Sequence, residues 1–153
     1  MKILAIYAGS FNPFHIGHLN IARKSERIFG KGNVLIAIGI NPSKPQIGDP
    51  TIRLQEIENS TGITTIFYDC FLHELIEQKE KEGYNVILVR GLRNGDDLAY
   101  EDNQLKFIRD FKDDINVVFI RCDEQYEHIS SSAIRQLQLI RPGMGDKYCV
   151  VYK

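Results

Sequence analysis

The stretch Ala8-Gly9-Ser10-Phe11-Asn12-Pro13-Phe14-His15-Ile16-Gly17-His18 decides how this chain is read. Ahead of it runs Lys2-Ile3-Leu4-Ala5-Ile6-Tyr7, an apolar segment of strand length. Behind it, Leu19, Ala22, Ser25 and Phe29 recur on one helical face. The stretch is therefore a strand-to-helix turn that carries glycines and a His-x-Gly-His pair. Glycine lets backbone come close to a ligand, a helix opening presents N–H groups to an anion, and imidazoles can donate to phosphate oxygens.

Working outward, apolar and largely β-branched runs at Ile3–Tyr7, Val34–Ile40, Thr64–Tyr68, Val86–Val89 and Val117–Ile120 predict five strands. Helical character is expected over Gly17–Phe29, Thr51–Asn59, Phe71–Glu82, Asp97–Phe111 and Ser131–Leu139. Strands alternating with helices imply parallel pairing, and runs apolar on both faces imply a sheet covered on both sides. The expectation is α/β: a doubly wound, parallel, five-stranded, Rossmann-like sheet forming a single domain over 1–153, with its ligand outside the carboxyl ends of the strands. Four polar clusters obey that rule. Gly9–His18 follows the first run, Asn41-Pro42-Ser43-Lys44-Pro45 the second, Arg90-Gly91-Leu92-Arg93 the fourth, and Ile129-Ser130-Ser131-Ser132 comes shortly after the fifth. The segment Asn41–Thr51, rich in proline, reads as a mobile loop, and Lys147–Lys153 as a short strand or a disordered end.

Composition narrows the partner. The chain has 153 residues, 43% hydrophobic and 25% charged, with 19 basic against 20 acidic side chains and a net charge of −1. No global field draws it to nucleic acid or membrane, so an anionic ligand must be held by local groups, which favours a small phosphate compound over a polymer. The three cysteines, Cys70, Cys122 and Cys149, are widely spaced and form neither a disulfide framework nor a zinc pattern. They read as small buried hydrophobes in a reducing cytosol. The N-terminal apolar run is too short to span a bilayer, so a cytoplasmic location is expected.

The clusters carry chemistry and also plainer readings. His18 stands where a helix begins, placed to donate to a phosphate whose charge changes as a bond breaks. Zinc binding by His15 and His18 lacks a third ligand nearby. Ser10 can cap the turn and also donate to a phosphate. Lys44 sits in a loop stiffened by prolines. Arg90 and Arg93, around a Gly-Leu turn, suit bidentate clamping of phosphates, and a salt bridge to Asp96, Asp97 or Glu101 is the structural alternative. One of Ser130–Ser132 is an N-cap; the others, with the helix-start amides and Arg135, make a second phosphate cradle. Glu101, after Tyr100, can accept from ribose hydroxyls. His73 and His128 read as surface or packing residues.

These clusters, in this order, resemble the HxGH nucleotidyltransferase superfamily, and most closely its phosphopantetheine adenylyltransferase family. The resemblance implies a nucleotidyltransferase fold and transfer of AMP from ATP to 4′-phosphopantetheine, giving dephospho-coenzyme A and pyrophosphate with Mg²⁺ assisting. It implies no nucleic-acid or membrane partner and, since family members commonly form hexamers, a homo-oligomer. By position it assigns catalysis to His18, Ser10, Lys44 and Arg93, and the acceptor phosphate to Ser10, Lys44 and Arg90. It assigns ATP to Gly9, Ser10, Phe11, His15, Gly17, His18, Gly91, Arg93, Glu101, Ile129, Ser130, Ser131 and Ser132, with no metal ligand among the residues. Asp69–Leu75 is the expected lining for the pantetheine arm. His15 and Arg135 lean instead to a nicotinamide or nicotinate mononucleotide adenylyltransferase, and a catalytically silent nucleotide-binding module is the alternative from another class. For Lys44→Ala the expected loss is a raised acceptor KM with ATP KM unmoved, checked by steady-state kinetics with each substrate varied in turn.

Overall fold

The computed structural model describes residues 2–39 and 49–150. The first apolar run forms strand β1 (Lys2–Gly9), and the turn after it leads into helix α1 (Ile16–Phe29). The chain continues as β2 (Val34–Gly39), α2 (Pro50–Thr61), β3 (Thr65–Tyr68), α3 (Leu72–Lys81), β4 (Tyr84–Leu92), α4 (Gly95–Phe111), β5 (Asn116–Arg121) and α5 (Ser131–Ile140). Helix starts and stops follow local chemistry. Asp49 caps α2 through Thr51 N, with Pro50 at the first helical position, and Gly62 closes it in the left-handed conformation (φ 71°). Asn94 caps α4 and Ser130 caps α5.

The five strands pair in the order β3-β2-β1-β4-β5, all parallel. The winding from β1 runs outward to β3, then α3 carries the chain back across to β4, so the direction reverses between β1 and β4. That reversal opens a crevice at the carboxyl edge beside Gly9 and Arg90. Both faces of the sheet are covered, because alternate residues of each strand point to opposite sides. On one face Tyr7, Ile36, Ile38 and Val89 pack with Ile21 and Ala22 of α1 and Ile57 of α2. On the other, Leu4, Ile6, Ala8, Leu35, Ala37 and Leu88 pack with Leu75 and Ile76 of α3, with Ile108 of α4 against them.

Three expectations change. Strand β4 does not end at Val89: Arg90, Gly91 and Leu92 stay in register with Phe119, Ile120 and Arg121 of β5. The arginines therefore flank a strand end instead of a turn, because β5 itself runs on to Arg121 and offers a partner. Cys70 is exposed, at the surface between β3 and α3, whereas Cys122 and Cys149 are buried as expected. The described part of the C-terminal segment, through residue 150, is neither a strand nor a loose end. A 3₁₀ turn at Asp146–Tyr148 brings Cys149 into an antiparallel bridge with His15, and Val150 N donates to Phe14 O at 3.4 Å. Cys149, Ile129 and Ile134 form a small core of their own against Ile16 and Tyr126. Of the loop expected over Asn41–Thr51, residues 41–48, Lys44 among them, lie outside the described residues, and Asp49–Thr51 cap and open α2. His73 lies flat against Phe71 and Phe111 (ring centroids 5.5 and 5.3 Å apart), and His128 packs edge-on to Tyr148. No helix among the described residues is long and apolar enough to cross a membrane.

Candidate active site

A cleft of about 840 Å³ occupies the crevice at the carboxyl edge of the sheet. Of the site residues expected from the sequence, every one among the described residues lines it: Gly9, Ser10, Phe11, His15, Gly17, His18, Arg90, Gly91, Arg93, Glu101, Ile129, Ser130, Ser131 and Ser132. The turn after β1 is shaped by aromatic packing. Phe11 has φ 46°, a left-handed backbone that a non-glycine residue adopts at a cost on the order of 1–3 kcal/mol. Its ring is buried edge-on to Tyr7, Phe14 and His18, at centroid distances of 5.0, 5.4 and 4.9 Å, and this packing holds the conformation. Asn12-Pro13 is a cis peptide. Two side chains of α5 reach across to the same turn: Ser131 Oγ donates to Pro13 O at 2.9 Å, and Arg135 Nη1 donates to Asn12 O at 2.6 Å. Arg135, expected at an anion, thus braces the loop.

The His-x-Gly-His spacing makes a reciprocal lock. His15 is the N-cap of α1: its Nδ1 accepts from Gly17 N at 3.1 Å and from His18 N at 3.4 Å. In return His18 Nδ1 accepts from His15 N at 3.1 Å. The two rings stack at 3.6 Å. A neutral imidazole whose Nδ1 accepts must carry its proton on Nε2, so both rings are fixed as Nε2–H donors. Burial holds His18 well below the ordinary imidazole range, with the positive ends of His15 and Arg93 acting the same way. His15 is lowered to about 4, by burial first and then by Arg93. The glycine between them has a reason of its own: a Cβ at Gly17 would stand 2.9 Å from His15 Cε1. A Cβ at Gly9 would likewise meet the Phe11 ring at 3.0 Å. These glycines make room for protein rings, which differs from the close ligand approach expected of them, and the α1 amides that were to meet an anion are capped by His15.

Both arginines are paired, as the structural alternative had it. Arg93 Nε and Nη2 grip Asp97 Oδ2 and Oδ1 at 2.8 and 3.0 Å, and Arg93 N also donates to Oδ2. This fork holds Asp97 below the usual carboxylate range and leaves Nη1 uncommitted to it. Arg90 Nε lies 2.9 Å from Glu101 Oε2, which meets no donor head-on, and Arg90 Nη1 reaches Ala8 O at 3.3 Å. Glu101, expected near a ribose, thus stands against a guanidinium. At α5, Ser130 Oγ caps Ala133 N, while Ser132 Oγ accepts from Arg135.

The sheet edge divides the cleft. Tyr7, Phe11, Ile21 and Cys122 belong to the α1 face, and Arg93 is close enough to both imidazoles to depress them. Arg90, one residue past Val89, points to the opposite face, where Ala8 and Tyr68 pack. Asp69 and Cys70 reach the cleft there, whereas Leu75 is buried in the core under α3, so only the start of the segment 69–75 lines the site. Tyr7, Tyr68, Cys122 and Tyr126 were not read from the sequence as site residues. A signal existed for two of them, since Tyr7 and Tyr68 end apolar runs at the carboxyl edge with a polar tip. Among the described residues no group of three or more His, Cys, Asp or Glu is assembled for a metal.

Residues 6–137 match the cytidylyltransferase-like family. The chain is 30% identical over 142 residues to the phosphopantetheine adenylyltransferase of Beijerinckia indica, covering 90% of this chain and 84% of that one. To the phosphopantetheine adenylyltransferase of Mycoplasma capricolum it is 32% identical over 145 residues, covering 92% and 99%. Among solved structures, nicotinic acid mononucleotide adenylyltransferase of Plasmodium falciparum, complexed with NaAD, superposes with a TM-score of 0.68 over 99% of this chain and 93% of that one. At 16% identity that likeness is one of fold.

The buried imidazoles set an acid limit on stability. A histidine with a depressed folded pKa favours the native state fully above about pH 6.5, and loses that contribution as the pH falls towards the folded value. For His15 the window runs from about 6.5 down to about 4, a loss on the order of 3 kcal/mol. His15→Asn keeps a capping acceptor and has no proton to take up. Urea unfolding at pH 7 and at pH 4.5 should show a smaller acid loss in the variant; an equal loss in both proteins would place the titration elsewhere.

Proposed function

Because the chain belongs to the cytidylyltransferase-like nucleotidyltransferases, and among them to the phosphopantetheine adenylyltransferase family, we propose that it transfers AMP from ATP to 4′-phosphopantetheine, releasing pyrophosphate. The observation that carries this reading is the division of one cleft into two halves, each with its own arginine. His15, His18, Arg93 and the start of α5 serve one half, and Arg90 serves the other, with Ser10 at the strand end between them. Two phosphate-bearing substrates need such an arrangement if one is to attack the other.

In the proposed reaction the acceptor phosphate, held by Arg90 and Lys44, attacks the α-phosphorus of ATP in line. The new P–O bond forms as the bond to the β-phosphate oxygen breaks, and pyrophosphate leaves with the electron pair. A phosphate nucleophile needs no general base. Catalysis then rests on positioning and on charge stabilisation. His18 offers a neutral Nε2–H to the α-phosphate oxygens, whose charge distribution changes most in the transition state, and Ser10 adds its hydroxyl. The free edge of Arg93 and the hydroxyls and amides of Ser130–Ser132 take the β- and γ-phosphates. ATP enters as its magnesium complex. Magnesium on the ATP phosphates would supply neutralisation of their charge there; Asp97 and Glu101, the cleft carboxylates nearest the arginines, are engaged by Arg93 and Arg90.

The mononucleotide alternative rests on the motif likeness of His15 and Arg135; in this structure His15 caps α1 and Arg135 bonds Asn12 O and Ser132, and the relatives at about 30% identity favour phosphopantetheine. Incubation with ATP, Mg²⁺ and phosphopantetheine or nicotinate mononucleotide, following pyrophosphate, separates the readings. Release with phosphopantetheine alone is expected, and release with neither would favour a silent nucleotide-binding module. In the same assay His18→Ala should lower kcat by on the order of a hundredfold or more with ATP affinity little changed, as for loss of an oxyanion-type donor. An equal fall in affinity and rate would contradict the role given to His18.

A further inference from the structure

On the α3 face of the cleft, two polar groups approach one another across the sheet edge. Tyr68 ends β3 opposite Gly39 of β2, and its ring lies over that glycine: a Cβ at Gly39 would stand 2.5 Å from the Tyr68 hydroxyl and 2.7 Å from Cζ. A side chain at Gly39 would occupy the place of the phenol over β2. From the other side, Arg90 leaves β4 and crosses to β1, where Nη1 touches Ala8 O at 3.3 Å. The floor between them is Ala8, Ala37 and Gly39, with no side chain larger than a methyl. The phenol lies over β2 and the guanidinium reaches β1, the neighbouring strand, so across the sheet they stand about one strand spacing apart, ~5 Å, with Gly39 two residues further along β2 than Ala37, the partner of Ala8. That gap suits one tetrahedral anion accepting from both sides at charge-assisted distances of ~2.8 Å.

The Tyr68 hydroxyl has no hydrogen-bond partner among the described residues. Its ring is half-buried against the core with Tyr84 and Leu72. Burial keeps the phenol protonated against the opposing pull of Arg90, so it is a donor throughout the neutral range.

We propose that Tyr68 is a specificity-determining residue for the acceptor: its hydroxyl and Arg90 together grip the acceptor's phosphomonoester, so that the enzyme discriminates a phosphorylated acceptor from its dephosphorylated form. This rests on the assignment of Arg90 to the acceptor phosphate. Tyr68→Phe keeps the ring over Gly39 and removes only the donor. It should raise acceptor KM tenfold or more, leaving kcat within about twofold and ATP KM unchanged. Calorimetry with phosphopantetheine and with pantetheine supplies a second readout, since the ratio of their affinities should narrow in Tyr68→Phe by the same factor as KM rises. Equal weakening of both ligands would place the hydroxyl on the arm and overturn the proposal. Turnover by the wild type with no change in Tyr68→Phe would overturn it and leave the adenylyl-transfer reading standing. Failure of the wild type to bind either phosphopantetheine or nicotinate mononucleotide would overturn both.

Discussion

The imidazoles of the strand-to-helix turn are held by one another's backbone, and most of the site's geometry descends from that exchange. His15 spends Nδ1 on the opening amides of α1, and His18 spends Nδ1 on the amide of His15. Each ring is thereby committed to a single tautomer and a single orientation before any ligand arrives. Burial then removes the option of protonation near neutral pH, and the nearby guanidinium of Arg93 acts in the same direction. A donor that is neutral, oriented and dry reorganises little when charge develops beside it, which is the condition under which a hydrogen bond contributes most to a transition state.

The lock is in turn supported from distant parts of the chain. Ser131 and Arg135 of α5 bond the carbonyls of Pro13 and Asn12, and the segment after α5 returns to pair Cys149 with His15 and Val150 with Phe14. The C-terminal residues lie beyond the region that matches the family. Their packing on the turn shows how a loop with a left-handed phenylalanine is kept in one conformation: neighbours over-determine it. The arginines are handled differently. Arg93 and Arg90 are partnered by Asp97 and Glu101, which fix the guanidinium planes and leave part of each fork facing the cleft.

Much of this was legible in residues 3–140. The order of strands and helices, the parallel sheet, and the cleft at its carboxyl edge followed from alternation of apolar runs with amphipathic ones, and the three polar clusters among the described residues, after β1, β4 and β5, marked the lining. Less legible were events that depend on neighbours. That β4 continues through Gly91 depends on β5 offering a register as far as Arg121. That Cys70 is exposed while Cys122 is buried depends on which side of a strand end each falls. Tyr68 looked like the close of an apolar strand, and its reach over Gly39 appears only when β2 lies beside it.

Local sequence determined what local physics controls: a strand, a glycine-bearing turn, a capped helix, and the chemical kinds of group the cleft would hold. Tertiary structure decided partnership. Whether Arg135 met an anion or a carbonyl, whether His15 donated or capped, and which glycines served rings instead of ligands were settled by groups more than a hundred residues apart in some cases, as with Arg135 and Asn12. The physical reason is that a hydrogen-bonding side chain commits to whichever partner desolvation leaves within reach, and that choice is made by packing across the sheet and not by the residues on either side of it in the chain.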